Sequence, residues 1–333
     1  IEVENAVKAS LNAKEKWENM AWEDRAAIFL KAADLISYKY RYELNAATML
    51  AHDKNVFQAE IDAVCELVDF WRYNVYFAEQ IFNEQPDNQN TMWNRMDYRP
   101  LEGFVFAVTP FNFTSIAGNL PTSPAIVGAV SLWKPASSAV YSAYYIMKLL
   151  EEAGLPPGVI NFIPGSGGQV GNPVMASPDL AGIHFTGSTE VFQGMWKTVG
   201  DNIANCKYYP RIVGETGGKD FIFAHNSADV DALVVAAIRG AFEYQGQKCS
   251  AASRMYIPES IWPRFKDLYV AEVAKIKFGD IEDFTYFLGA VIDQPAFDSI
   301  KSYIDFAVQS DEAELITGGK CDDSTGFFIE PTT

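Results

Sequence analysis

The sequence predicts an α/β fold built on a parallel sheet that helices cover on both faces. Short apolar strand signals alternate with helical signals through the middle of the chain, as they do in doubly wound sheets. Two of the strands also run into loops rich in Gly and Ser, and such sheets bind ligands beyond the carboxyl ends of their strands. The predicted strands lie at 103–108, 128–133, 159–163 and 182–185.

Helical segments come before and between these strands. Apolar residues at helical spacing predict helices at 24–38 and 59–81. Residues 82–100 are polar at first and then alternate in character, which indicates an exposed hairpin or arm. Another helix follows the second strand and is expected to end at Gly154, because Pro156 and Pro157 lie just beyond that glycine.

The alternation of strand and helix restarts after Lys219. A strand is predicted at 220–224, a helix at 230–244 and a second strand at 254–257, with Cys249 on the loop that joins the last two. We therefore expect a second α/β domain that is incomplete at its C-terminus.

Composition narrows the functional classes. A chain of 333 residues is long enough for roughly two domains. Its net charge of −17 argues against nucleic acid or an anionic membrane as partner, and no apolar run is long enough to span a membrane. The 4 cysteines and 3 histidines lack metal-ligand or disulfide spacing, so we expect no metal site and a reducing compartment.

Both ends of the chain indicate a fragment of a longer protein. The chain begins at Ile1 inside a helical pattern and ends in an apolar, strand-like run at 327–333. Any targeting peptide would then lie outside it. Because strands and ligand contacts would be missing, we expect the fragment alone to fold poorly or to be inactive.

Three segments predicted to be loops carry candidate chemistry: Thr109–Phe113, Gly214–Lys219 and Gly246–Ser250. Each has an ordinary alternative. A single cysteine is most often a small buried hydrophobe, a Gly-Gly run beside a glutamate is often a turn with a solvated charge, and an asparagine between two phenylalanines is often a turn residue.

Together, these segments resemble the aldehyde dehydrogenase superfamily along the whole chain. The resemblance implies a Rossmann-type doubly wound sheet in an NAD-binding domain (1–81 and 101–218), an oligomerisation arm (82–100) and a truncated catalytic domain (219–333). The motifs that carry it are Pro110-Phe111-Asn112, Trp133-Lys134-Pro135-Ala136, Phe185-Thr186-Gly187-Ser188, Glu215 with Gly217-Gly218-Lys219, and Gly246-Gln247-Lys248-Cys249.

The resemblance implies catalytic roles for three residues. Cys249, as a thiolate, would attack the aldehyde carbon and form first a thiohemiacetal and then a thioester. The Asn112 amide and the backbone N–H of Cys249 would stabilise the developing oxyanion. Glu215 would act as general base toward the water that hydrolyses the thioester.

The resemblance also implies an NAD site. The Lys134 ammonium would bind the adenosine ribose hydroxyls, although a solvated lysine at a strand end is the ordinary alternative. Ser188 begins a helix whose N-terminus favours pyrophosphate, and it could equally be a plain N-cap. Ser137 stands where NAD-using members often carry a glutamate, so NADP stays open while NAD is preferred. The other predicted cofactor residues are Pro110, Phe111, Gly165 and Gly187.

Within the superfamily, the chain most resembles the branch that oxidises L-glutamate γ-semialdehyde to L-glutamate in proline catabolism. The segments that carry this finer resemblance include 101–105 and 241–244. Glu66 would face the substrate's amino group, or else be a solvated helix carboxylate. Phe113 and Ser250 match positions that line the aldehyde.

Three other functions remain open. The chain could act on another semialdehyde or an aliphatic aldehyde, or it could be a catalytically silent relative, although Cys249, Glu215 and Asn112 are all present. A hydrolase that uses only the thiol would leave the cofactor motifs unexplained. The resemblance further implies a homo-oligomer and a location in the mitochondrial matrix.

Overall fold

A computed structural model describes residues 1–333, which form two compact units. The first unit comprises Ile1–Ala51 and Glu60–Thr216, and the second comprises His52–Ala59 and Gly217–Thr333. The helices are α1 (Glu2–Glu18), α2 (Trp22–Asp34), α3 (Arg41–His52), α4 (Val56–Ala59), α5 (Glu66–Asn83), α6 (Thr114–Ile126), α7 (Val140–Ala153), α8 (Gly167–Met175), α9 (Thr189–Asn202), α10 (Val230–Phe242), α11 (Trp262–Val273) and α12 (Gln294–Gln309).

The first unit is built on a five-stranded parallel sheet in the order β3-β2-β1-β4-β5. The chain moves outward from β1 to β3 on one side and then returns to place β4 and β5 on the other. The strand order therefore reverses between β1 and β4, which is the position where such sheets open a ligand crevice. The strands are β1 (Phe104–Val108), β2 (Val130–Lys134), β3 (Ile160–Phe162), β4 (Leu180–Gly187) and β5 (Arg211–Thr216).

Burial on both faces explains why the central strands read as continuous apolar runs. All of β2 is buried, and β1 is buried except for its last residue. Their side chains share one core with helices that include α2, α5 and α7. As expected, α7 ends at Gly154, whose φ of +108° provides the left-handed C-cap that glycine adopts readily.

The second unit has its own smaller core. Two parallel strands, β6 (Asp220–Phe223) and β7 (Ala252–Tyr256), flank α10 in the chain, and α10 packs on α11. Near the C-terminus, β8 (Cys321–Asp322) pairs antiparallel with β9 (Phe328–Ile329). Residues 52–59 belong to this unit although they lie far away in the sequence.

Several predicted elements differ from the structure. The helix predicted at 24–38 leaves α geometry at Leu35 and continues as a π-helical segment, and α10 ends at Phe242 rather than at 244. The segment predicted as an exposed hairpin or arm at 82–100 begins within α5, which runs to Asn83, and the largely exposed remainder has one isolated antiparallel bridge, between Gln89 and Met92. No helix in the structure combines the length and apolar character needed to cross a membrane.

Three elements of the sheet unit, α6, α8 and β5, had no counterpart in the sequence prediction. Helix α6 contains Pro121 and Pro124, which normally interrupt a helix because proline has no N–H. Strand β5 includes Gly214 and Glu215, which the sequence had placed on a loop. The correction for β5 has a simple cause: a partly exposed edge strand needs no continuous apolar run, and its residues pair with β4 from Arg211 to Thr216.

Candidate active site

The carboxyl edge of the parallel sheet collects the predicted site residues of the first unit. Because all five strands point the same way, the residues that end them meet at one edge of the sheet. Backbone pairing fixes their order along this edge: Val108 lies opposite both Lys134 and Phe185, and Thr186 lies opposite Glu215. The predicted residues at this edge are Pro110, Phe111, Asn112, Lys134, Gly165, Gly187, Ser188 and Glu215.

Gly187 and Ser188 form the start of α9 beside the point where the strand order reverses. Ser188 is the N-cap, and its Oγ accepts the backbone N–H of Val191 at 3.3 Å. A Cβ at Gly187 would lie 2.7 Å from the ring of Phe185, so a larger residue there would force that ring to move. The ordinary role of Ser188 is thus observed, and the helix N-terminus next to a glycine provides the free N–H groups that favour phosphate.

Lys134 is not the solvated lysine of the alternative interpretation. It is the last residue of β2 and only 7% exposed. Its Nζ donates to the Pro135 carbonyl at 2.8 Å, and burial lowers the pKa of its ammonium. An ammonium has three donors, so two remain for a ligand at this edge. Nearby, Ser137 donates its hydroxyl to the carbonyl of Gly165 at 3.4 Å.

Asn112, Phe113 and Glu66 lie around the start of α6. Asn112 is 9% exposed and immediately precedes Phe113, the N-cap residue of that helix. Glu66 is the first residue of α5, half-buried, and its carboxylate accepts the hydroxyl of Ser115. This contact argues against a fully solvated Glu66, because the bond ties the carboxylate to α6.

In the second unit, Cys249 lies on a turn that neighbouring segments hold in place. Its thiol is free and half-buried, and its carbonyl accepts the N–H of Gly218 at 3.1 Å. A Cβ at Gly218 would lie 2.9 Å from that carbonyl oxygen, which explains the glycine. The Oε1 of Gln247 accepts the N–H of Ile292 at 2.9 Å, while Ser250 is exposed.

The structure also reveals features near the predicted residues that the sequence did not indicate. Tyr244 and Gln245 both have positive φ, and no residue type there signals it, because neither is glycine or asparagine. His184 is partly buried on β4, one strand away from Glu215, and burial lowers its pKa. Nowhere does the structure group three or more His, Cys, Asp or Glu side chains in a metal-binding arrangement.

Known proteins resemble this chain closely along its whole length. The chain is 54% identical over 332 residues to a Δ1-pyrroline-5-carboxylate dehydrogenase from Agaricus bisporus, covering 99% of this chain and 60% of the relative. It is 54% identical over 330 residues to the mitochondrial enzyme of that name from Dictyostelium discoideum, covering 98% of this chain and 59% of the relative.

A solved structure of the Mycobacterium tuberculosis enzyme bound with NAD superposes with a TM-score of 0.98 at 53% identity, covering 99% of this chain and 62% of that one. The chain thus spans about 60% of the length of the relatives it matches. A sequence profile described as the aldehyde dehydrogenase family matches residues 1–333. The chain belongs to the aldehyde dehydrogenase family.

Proposed function

We propose that the protein containing this chain oxidises L-glutamate γ-semialdehyde to L-glutamate with NAD. The observation that carries the proposal is Cys249, a free thiol on a loop that Gly218 and Gln247 hold in one shape. The relatives that share about half of its residues are named pyrroline-5-carboxylate dehydrogenases, and 1-pyrroline-5-carboxylate is the cyclic imine that water opens to glutamate γ-semialdehyde. The names of these relatives support the choice of substrate.

The first unit has the features that an NAD site requires, and we assign it the cofactor. Lys134 offers two free ammonium donors for ribose hydroxyls, and Gly187 with Ser188 offers a helix N-terminus for pyrophosphate. When bound, NAD supplies a hydride acceptor. Gly165, Pro110 and Phe111 line the same edge of the sheet and would flank it.

The chemistry on the protein side begins and ends at Cys249. Its thiolate adds to the aldehyde carbon, and the carbonyl oxygen becomes an oxyanion that the Asn112 amide and the Cys249 N–H stabilise. Loss of hydride leaves a thioester on the sulfur. Glu215 then takes a proton from water as that water attacks the thioester, which releases the carboxylate product and restores the thiol.

Substrate selection follows from the groups around the start of α6. The Glu66 carboxylate would pair with the substrate's ammonium because their charges are opposite. The hydrogen bond from Ser115 fixes the direction of this carboxylate. Phe113 would cover the aliphatic part of the substrate, and Ser250 would line the aldehyde beside the nucleophile. A simple aliphatic aldehyde lacks the ammonium and should be a poorer substrate.

The test is NADH formation by the full-length protein with glutamate γ-semialdehyde, comparing wild type, Cys249→Ala and Cys206→Ala. Cys206 is a half-buried free thiol of the first unit and serves as the matched control. We expect Cys249→Ala to abolish activity and Cys206→Ala to retain it. A wild type that oxidises propanal but not glutamate semialdehyde would refute the substrate assignment alone.

We also propose a homo-oligomer in the mitochondrial matrix. The segment 84–100 is almost entirely exposed and carries Trp93 and Met92 at 75% and 57% exposure, as an intersubunit arm would. The Dictyostelium relative is named mitochondrial. Sedimentation of the full-length protein with and without Trp93→Ser, and fractionation of the source cells, test the two statements separately.

A further inference from the structure

The turn that precedes Cys249 is left-handed over three consecutive residues. Tyr244, Gln245 and Gly246 have φ of +52°, +54° and +70°. For glycine this conformation is ordinary, but for Tyr and Gln it is strained and persists only where the surroundings impose it. The contacts of these two side chains therefore identify what shapes the loop.

Gln245 makes the decisive contacts. Its Nε2 donates to the carbonyl of Ala290 at 2.6 Å and to the carbonyl of Asp53 at 3.3 Å. The Asp53 carboxylate in turn accepts the N–H of Ala290. Gln245 thus binds the backbone carbonyl of Ala290, and Asp53 binds its backbone N–H. The amide of Gln245 joins two backbone segments, at Asp53 and Ala290, to the turn.

Tyr244 is fixed from the same segment. Its ring is fully buried, and the ammonium of the equally buried Lys54 lies 4.3 Å from the ring centroid, a cation–π contact. Asp53 and Lys54, adjacent in the chain, therefore act on the adjacent residues Gln245 and Tyr244. Beyond the turn, Gln247 accepts the N–H of Ile292, two residues after Ala290.

We propose that Gln245 is a positioning residue for the nucleophile: its amide holds the left-handed turn in place and so sets the direction of the Cys249 thiol and backbone N–H. This inference depends on the function proposed above only in treating Cys249 as the nucleophile. The side-chain amide of Gln245 binds backbone carbonyls and touches no reacting atom. It acts through the loop, and the Asp53 carbonyl and Ala290 are its anchors.

The test compares Gln245→Ala with wild type in the full-length protein. One readout is turnover of glutamate semialdehyde per titrated Cys249, and the other is alkylation of Cys249 by iodoacetamide, followed by mass spectrometry of its peptide. We expect kcat to fall roughly 10- to 100-fold with KM for NAD unchanged, because a small misalignment of reacting groups costs about this much. We expect alkylation to become faster, because a loop no longer held by Gln245 gives better access to the half-buried thiol. Alkylation does not need an aligned oxyanion donor, so the misalignment does not slow it.

Tyr269→Ala is the matched control for general destabilisation. Tyr269 is 5% exposed in the core of the same unit, and its hydroxyl pairs with Thr333 rather than with the turn. We expect it to lower the melting temperature at least as much as Gln245→Ala while leaving kcat per titrated thiol and the alkylation rate unchanged.

Two results would overturn the inference: Gln245→Ala with wild-type kcat and alkylation rate, or Tyr269→Ala with the same changes as Gln245→Ala. If the wild type failed to oxidise glutamate semialdehyde, the function proposed above would fail. The alkylation rates of the two variants would then decide the inference alone.

Discussion

The Nδ1 nitrogen of His184 lies 3.0 Å from the carbonyl oxygen of Leu120, a carbonyl that α6 cannot satisfy by itself. The residue four positions further on is Pro124, which has no N–H to donate. A carbonyl can only accept, so the bond fixes the proton on Nδ1 of the neutral ring. His184, on strand β4, thereby supplies the hydrogen bond that Pro124 cannot donate within α6. This helix begins just after Asn112.

This bond makes stability sensitive to pH. Burial lowers the pKa of His184 below its ordinary value of about 6.5. The unfolded chain therefore binds a proton first, and stability is lost as pH falls below about 6.5 until the folded pKa is reached. His184→Asn keeps a donor near Leu120, so we expect a smaller loss of melting temperature between pH 8 and pH 5 than in wild type. Equal losses would contradict this, and the exposed His225→Asn is the control.

His184→Ala tests the bond itself. The variant leaves the buried Leu120 carbonyl without its donor, which costs about 1–3 kcal/mol. We expect a lower urea midpoint at pH 8 that His184→Asn largely restores. If both variants lose the same stability, the packing of the ring rather than its hydrogen bond is responsible.

Glu215→Gln should separate the two halves of the reaction. The amide cannot take a proton from water, so we expect steady-state turnover to fall about 100-fold or more. Formation of the thioester does not need this base, so a burst of NADH equal to the enzyme concentration should remain. Stopped-flow absorbance and the mass of the acylated Cys249 peptide measure both quantities. Glu151→Gln, an exposed helix position, is the control, and loss of the burst would assign Glu215 an earlier role.

Lys134→Met should weaken cofactor binding without weakening the fold. Its buried ammonium pays for desolvation in the free protein, so its removal should leave the ligand-free melting temperature unchanged or higher. Loss of charged hydrogen bonds to the ribose should raise the Kd for NAD about 10- to 100-fold, as titration calorimetry would measure. Lys207→Met removes an exposed lysine paired with Asp179 and should leave NAD affinity unaltered.

Asp53 gives a pH dependence of the opposite sign. Burial, with a contribution from the charge of Asp280, raises the pKa of Asp53 to about 6, against an opposing hydrogen bond from Ala290. The unfolded carboxyl ionises near pH 4, so the folded state loses relative stability as pH rises from about 4 to 6. Asp53→Asn removes this ionisation, suits the φ of +57° and can keep an acceptor for Ala290.

The advantage of Asp53→Asn over wild type should therefore grow between pH 4.5 and pH 7.5, as the difference in melting temperature would show. Asp283→Asn provides the contrast, because backbone hydrogen bonding to Thr285 lowers the pKa of that exposed carboxyl. A constant difference for Asp53→Asn across this range would mean that its carboxyl does not titrate as described.

Strong local signals allowed much of the sheet unit to be predicted. Strands β1 and β2 are short, apolar and buried, and Gly154 ends α7 at the expected residue. The helix at α6 was missed because its two prolines break the local rule, and the donor that compensates for Pro124 is His184, distant in the sequence. Only the folded chain brings that donor to the helix.

The candidate site residues were predicted from motifs, whereas the contacts that shape the loop before Cys249 were not. Cys249, Glu215 and Lys134 stand in recognisable segments, whereas the left-handed turn at Tyr244 and Gln245 has no local signal. The contacts of these two side chains are with Ala290 and with the 52–59 segment, whose place in the second unit no periodicity could indicate. Long-range contacts of this kind override what residue types favour locally.

The bond between Gln245 and Asp53 spans 192 positions of sequence, which has a consequence for how the protein is made. A ribosome adds roughly 5–20 residues per second, so residue 53 is synthesised about 10 to 40 s before residue 245 exists. Contacts of such separation form late in folding. The loop that carries Cys249 therefore cannot take its final shape until residue 245 has been made, however early the 52–59 segment is available.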